Sequence, residues 1–317
     1  MTRPFVPQTV VDLAHARRDA RLRHEWTEAD GFRAEIEAAG WLVIDRGVDF
    51  DLRPARPADV VADGQIRYGA SESVPSRLDE PEAAPATVVV VAAAIEDLAA
   101  AAAVVAARAG LASVVLVANG LTADTDGELG RIGDVQGIEV VQLAAAGSVA
   151  TARNAGIRRA TGTVIVLLDR PSAADPAIIR ELVDALTDPT VAIAGTIGRV
   201  SSGLPRFDGS TAREVDAVTG TIAFRRADYV ARGPLEERFQ GVGELDAWWS
   251  LVLRDNDDER PGRALRVGAG TGDGVGLVDS PRAADAPGQR RDRYRVLDRF
   301  GSRTDLISGG SSGAKRA

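Results

Sequence analysis

The sequence predicts an α/β fold with a mostly parallel central sheet, preceded by a small N-terminal helical and hairpin module. Two observations predict the main fold. From Thr87 onward, apolar runs such as TVVVVA, SVVLVA and TVIVLLD recur with helical segments between them. Continuous rather than alternating apolar strands are those buried on both faces, as in parallel sheets covered by helices. A third observation sets the module apart: before residue 57 the pattern is two helices and two short strands, followed later by a proline- and acid-rich stretch.

Residues 8–53 form the module. Val10, Leu13, Ala14 and Ala20 fall on one face of a first helix. A second starts at Thr27, with Asp30 three residues on in capping-box spacing. Phe32, Ile36 and Ala39 give its apolar face and Gly40 ends it. WLVID and VDFDL follow as short strands about Arg46-Gly47. Residues 57–78 hold a further hairpin with Asp63-Gly64 as its turn. DEPEAAPA, residues 79–86, is the linker, because it has little to bury.

Beyond it, TVVVVA, SVVLVA, IEVVQL, TVIVLLD and TVAIAG are five strands, with helices over residues 95–109, 148–160 and 175–186. Ligands of such sheets bind at the carboxyl ends of the strands. Ala92-Ala93-Ala94, Ala118-Asn119-Gly120 and Asp169 stand at those ends. After residue 200, EVDAVTGTIAFRR reads as a strand. GELDAWWSLVLRD reads as a helix anchored by Leu245, Trp248, Trp249 and Val252. Residues 289–300 form a basic amphipathic helix, GAGTGDGVG is a loop, and the C-terminus is a flexible tail. The expected divisions are 1–56 for the module, 57–85 for hairpin and linker, 86–302 for the main domain and 303–317 for the tail.

Composition narrows the chemistry. With 317 residues and 45% hydrophobic content, the chain is enough for one large domain with a small appendage, or for two domains. A formal net charge of −8 argues against a wholesale nucleic-acid or anionic-membrane binder. There is no cysteine, hence no disulfide and no thiolate metal site. The only histidines, His15 and His24, lie near the N-terminus, which excludes a histidine triad in the main domain. Acid–base work there falls to carboxylates, Tyr, Lys or Arg. The N-terminus has no signal-peptide core, and the most apolar run is broken by Glu96 and Asp97, too weak for a membrane span. The chain reads as cytoplasmic.

VATARNAGIRRATGTVIVLLD followed by DP resembles the middle of family 2 glycosyltransferases, where an ARNxGI helix precedes an apolar strand ending in a D-x-D element. EVDAVTGTIAFRRADYVARGPLEERF resembles the second half of that family, and GELDAWWSLVLRD falls where its E-D helix lies. The resemblance covers roughly residues 86–256. It implies a GT-A-like (Rossmann-like) nucleotide-diphospho-sugar transferase fold and a nucleoside-diphosphate sugar donor. It also implies an acceptor hydroxyl on a glycan or other molecule, by analogy in polysaccharide or cell-envelope synthesis, and a divalent metal, Mg²⁺ or Mn²⁺.

Carried onto this chain, Asp169 matches the first acid of D-x-D and is the metal candidate, but Pro171 stands where the second acid belongs, with Arg170 between. Phosphates and waters complete a metal shell around one carboxylate, or Arg170 faces the diphosphate as a fixed cation, or Asp169 simply caps the turn; these readings stand open. Asn119 and Gly120 match the nucleoside loop, with Ala118 in place of the usual acid; an ordinary turn is the alternative. Arg153 and Asn154 line the donor side, or else hold the loop before the fourth strand. Glu244 and Asp246 are the candidate catalytic bases, with stabilisation of a helix N-terminus as the alternative. Trp248 and Trp249 stack on a sugar or fill the core. No histidine follows Trp249, a position from which the family often draws a metal or diphosphate ligand; Asp273 and Asp279 occupy that region. Arg290, Arg291, Arg293 and Arg295 reach a diphosphate or form a solvated face.

HARRDARLRHEWTEADGFRAEIEAAGWLVIDRGVDFDL resembles the C-terminal tail of cysteinyl-tRNA synthetases. The nucleotide-binding motifs of those enzymes are absent, which implies an attached module. Arg17, Arg18, Arg21, Arg23, His24 and Arg33 form a local basic cluster beside Trp26, Phe32 and Trp41. Overall acidity argues against RNA as a partner. The departures at Ala92–Ala94, Ala118, Pro171 and the missing histidine leave a degenerate binding or scaffold protein as a rival to the transferase, and the N-terminal module leaves an RNA-associated module as a third reading.

Overall fold

The computed structural model describes residues 6–47, 49–55, 58–62, 64–98, 112–170, 175–255, 261–268 and 287–308. The chain forms two compact units, Met1–Ala70 and Ser71–Ala317.

In the first unit, helices α1 (Gln8–Leu22) and α2 (Trp26–Ala38) are followed by the antiparallel hairpin of β1 (Trp41–Arg46) and β2 (Asp49–Pro54). Val10, Ala14, Ile36 and Trp41 form the core. The capping box expected at Thr27 does not form. The helix starts one residue earlier at Trp26, its cap position is Glu25, and no side chain caps it. Gly40, at φ +79°, closes α2 as expected. Strands β3 (Val60–Ala62) and β4 (Gln65–Tyr68) pair as the second hairpin, with Gly64 at φ +76° in its turn.

The second unit begins with β5 (Ala84–Ala92), whose first residues lie in the stretch expected to be linker. There follow β6 (Ala112–Asn119), α3 (Asp126–Gly133), β7 (Ile138–Leu143), α4 (Val149–Ile157), β8 (Gly162–Leu167) and α5 (Pro176–Ala185). Then come β9 (Val191–Gly203), β10 (Arg206–Ser210), β11 (Glu214–Val215), β12 (Ala217–Arg225), α6 (Arg226–Arg232), α7 (Val242–Arg254), β13 (Arg263–Arg266) and α8 (Pro287–Phe300). The strand order is β11-β13-β9-β12-β8-β5-β6-β7. Strands β8, β5, β6 and β7 are mutually parallel, as are β13 and β9. Strand β12 runs antiparallel to both its neighbours. The result is an α/β fold with a mostly parallel sheet. Of the helix expected over 95–109, residues 95–98 are helical and the rest lies outside the described residues.

Strand β5 shows why the sheet forms here. Val88, Val89 and Val90 are all buried, so both faces of the strand are covered. Each buried valine contributes about 1.5–3 kcal/mol, more than the whole β-propensity scale of about 1 kcal/mol. Packing therefore decides the strand. Helix α4 lies close on the sheet because Gly156 has no side chain: a Cβ there would stand 2.5 Å from Val89 Cγ1 and 2.8 Å from Val117 Cγ2.

Three features escaped the sequence reading. Helix α3 carries three glycines in DGELGRIG, and its buried Leu129 and Ile132 hold it. Strand β9 continues past TVAIAG to Gly203, because its polar half pairs with β10. Within the segment read as a tail, Leu306 and Ile307 are buried, and Asp216 Oδ1 accepts hydrogen bonds from Ser308 N at 2.9 Å and Oγ at 2.6 Å. Among the described residues no helix is long and apolar enough to cross a membrane.

Candidate active site

The carboxyl ends of the parallel strands β5, β6 and β8 face one side of the sheet. Strand β12 enters from that side: Ile222 pairs with Leu167, so Thr219 and Thr221 precede the pairing and lie toward Asp169. The N-terminal turns of α7 meet the same place, since Thr219 Oγ1 donates to Asp246 Oδ2 at 2.9 Å.

Helix α4 brings the first cation. Ser148 caps it, accepting from Thr151 N at 3.0 Å. Its small residues Ala150, Ala152, Ala155 and Gly156 let it sink against the sheet, so that Arg153 and Asn154 are buried with it. Adjacent helical positions diverge by about 100°, and these two side chains part accordingly. Arg153 Nη1 reaches Asp246 Oδ1 at 2.5 Å, with both side chains all but sealed from solvent at 2% and 1% exposure. Burial pushes the Asp246 carboxyl up from its ordinary value, while Arg153 and Thr219 pull it down and the charge of Asp169 adds to the push. Asp246 is thus brought beside Arg153 and electrostatically beside Asp169, yet it is closed to any acceptor.

Asn154 turns to the chain itself. Its Nδ2 donates to Leu235 O and Glu237 Oε1, both at 2.9 Å, and its Oδ1 accepts from Tyr229 Oη and Leu235 N, both at 3.0 Å. All its hydrogen-bonding capacity goes into holding the segment before α7. Glu237 completes that hold, accepting from Ser71 Oγ at 2.5 Å and Thr151 Oγ1 at 2.9 Å.

Asn119 is likewise a staple. Its Nδ2 donates to Gly147 O at 3.1 Å and its Oδ1 accepts from Gly147 N at 2.8 Å. Gly120 sits at φ +72°, and a Cβ there would stand 2.6 Å from Ala146 Cα. The two residues clamp the loop before α4 against the end of β6. After β5, the amides of Ala93 and Ala94 are taken by Asp97 Oδ2 at 2.9 and 3.0 Å, which occupies backbone groups otherwise open to a base.

Asp169, two residues past the end of β8, is partly exposed, its amide 3.5 Å from Thr221 Oγ1. Arg170 Nε lies 3.6 Å from Asp169 Oδ2, and the Arg170 side chain is 64% exposed. Glu244, in the first turn of α7, is half-buried. Its carboxylate folds back over Gly241, where a Cβ would collide with it. That turn is fixed from behind: the buried Asp292 Oδ2 accepts from the amides of Gln240 and Gly241, both at 2.9 Å. Trp249 packs in the core against Phe224 and Tyr229, and Trp248 lies against Phe239 with Arg299 over its ring. A cavity of about 670 Å³ is lined by Asn154, Arg158, Tyr229, Trp248 and Arg299, and by none of Asp169, Arg170, Glu244 or Asp246.

Thr219, Thr221, Glu237 and Asp292 escaped the sequence reading. Asp292 had a signal: it precedes Val296 and Phe300 at spacings of four, the buried stripe of α8, so it is an acid at a core position. Asp273, Asp279 and Pro171 lie outside the described residues.

The fit to a divalent cation is poor. Among the described residues no group of three or more His, Cys, Asp or Glu is placed to hold a metal. Asp169 has a guanidinium at its side, and each oxygen of Asp246 already accepts a hydrogen bond, from Arg153 and from Thr219.

Residues 90–236 match the family model described as Glycosyl transferase family 2. That segment runs from β5 through α6 and includes Asn119, Arg153, Asn154 and Asp169. With the strand order above, it makes the fold a GT-A-like one. No curated protein matches the chain. Among solved structures the chain is similar to one described as GalNAc-T7 with UDP, GalNAc and Mn²⁺, at 16% identity and a TM-score of 0.49, covering 67% of this chain and 48% of that one. It is also similar to Staphylococcus aureus TarS 1-349, at 14% identity and a TM-score of 0.42, covering 57% of this chain and 60% of that one. The chain thus spans less than two thirds of either.

Proposed function

We propose that the second unit transfers a glycosyl group from a nucleoside-diphosphate sugar to an acceptor hydroxyl, with a glycan as the acceptor class. The observation that carries this reading is the coincidence of two findings. The family-model match runs over residues 90–236, and the strand-end constellation of Asp169, Arg170, Arg153 and Thr221 is built from residues inside it.

Roles follow from exposure. The acceptor oxygen attacks the anomeric carbon, its proton passes to a carboxylate, and the nucleoside diphosphate departs with the electrons of the broken bond. Glu244 is the carboxylate for that proton, being partly accessible on the first turn of α7. Asp246 is fully buried and ion-paired, and its role is to position Arg153. Asp169 faces the sugar–diphosphate, and Asn119 and Gly120 shape the donor pocket by fixing the loop before α4.

The test is release of nucleoside diphosphate from UDP-, GDP- and dTDP-sugars in the presence of mixed oligosaccharide acceptors. Loss of a positioned general base lowers turnover by about 10²–10⁴-fold, so Glu244→Gln is expected to do so while leaving donor affinity intact. Turnover undisturbed by Glu244→Gln would remove Glu244 from the base role. No release from any donor by the well-folded protein would overturn the transferase reading.

A further inference from the structure

The position that should complete a metal site is filled by residues of the wrong chemistry. At the end of β8 the sequence runs Asp169-Arg170-Pro171, one carboxylate followed by a permanent cation and a side chain without a donor atom. A hard divalent cation wants several oxygen ligands and no neighbouring positive charge. Asp169 offers one carboxylate, and Arg170 Nε stands 3.6 Å from it. The nearby second acid, Asp246, is spent: Oδ1 takes Arg153 Nη1 at 2.5 Å, Oδ2 takes Thr219 Oγ1 at 2.9 Å, and the residue has no exposed surface.

The cation Arg170 lies open to solvent. Its side chain is 64% exposed, and its ion pair with Asp169, at 3.6 Å, is of the exposed kind that holds weakly. A guanidinium presents a planar fork of donors that matches a phosphate bidentately. An arriving diphosphate offers more charge than one carboxylate. Exchange of Asp169 for the diphosphate would leave the carboxylate of Asp169 open to accept from the hydroxyls of the sugar.

We propose that this chain neutralises the diphosphate of its donor with Arg170 in place of a divalent cation, and so binds nucleoside diphosphates without metal. The inference rests on the transferase reading and assigns its donor chemistry.

Calorimetry with UDP, GDP and dTDP, and with UDP-sugars, is run in EDTA and again in Mn²⁺. Loss of a charge-assisted contact weakens binding by about tenfold or more. The expected result is binding of one nucleotide in EDTA, changed little by Mn²⁺, and weakened to that extent in Arg170→Gln. Arg170→Lys, which keeps the charge without the fork, is expected to fall between. Melting curves of both variants should match the parent, since the side chain is exposed. Binding that appears only with Mn²⁺, or that survives unchanged in Arg170→Gln, overturns the inference and leaves the transferase reading standing. Binding of no nucleotide under either condition overturns both.

Discussion

Arg153 Nη1 stands 2.5 Å from Asp246 Oδ1, and the pair joins α4 to α7 in a place with almost no solvent. The remaining oxygen of Asp246 is satisfied by Thr219 at 2.9 Å. Two charges are desolvated to make this link, so its net worth is small while the penalty for halving it is large. Removing one partner of such a pair costs about 3–5 kcal/mol. Arg153→Met and Asp246→Leu should therefore each lower stability by that order in urea unfolding, and the double variant should lose much less than their sum. Additive losses would show that the two charges are not energetically coupled.

Gly120 is held at φ +72°, where a side chain is strained, and a methyl group there would lie 2.6 Å from Ala146 Cα. Left-handed backbone for a non-glycine residue costs about 1–3 kcal/mol, before the collision is relieved. Gly120→Ala should destabilise the second unit by at least that amount and loosen the pairing of Asn119 with Gly147. Gly209→Ala is the control, with nothing within 4 Å of its added carbon and φ not positive. Equal melting temperatures for the two variants would contradict the close approach.

In the first unit, the hydrogen bonds from Arg17, at 2.7 and 3.1 Å, are the main cause holding the Asp45 carboxyl below its usual value, with Arg21 adding to them. A carboxyl depressed by folding stabilises the folded state above its unfolded value, about 3.9 for an aspartate, and that contribution is lost as pH falls through the folded value. Arg17→Gln should accordingly move the acid limb of the stability profile of this unit to higher pH and leave Asp45→Asn insensitive to the same change. An acid limb unmoved by Arg17→Gln would exclude the pair as its source.

Much of the fold was legible because burial on both faces leaves an unbroken apolar run, as in β5, β6 and β8, and because Ser148 and Asp175 sit where helices must be capped. Asp169 was legible as a strand-end acid. The partners were not. Asn119 and Asn154 announce hydrogen bonding by their chemistry, but which groups they bind depends on Gly147 and Leu235, 28 and 81 residues away. Asp246 looked like a base at a helix start; that it is sealed follows from Arg153 and Thr219 arriving from α4 and β12, which no local pattern encodes. At Thr27 the capping pattern misled because the helix begins earlier, at Trp26, so the threonine lies inside it.

The amides of Gln240 and Gly241 are held by Asp292, a residue 51 positions beyond Gly241. A protein cut where the family-model match ends, at residue 236, would keep Asp169, Arg170 and Arg153 but strand the Arg153 cation without Asp246, its anion. A cut just ahead of α8 would keep Asp169, Arg170, Arg153, Asp246 and Glu244 in the chain and still release the turn that carries Glu244. Proteolysis or a late frameshift could therefore silence this site from a distance, and the last helix belongs to its inheritance as much as the strand that bears the acid.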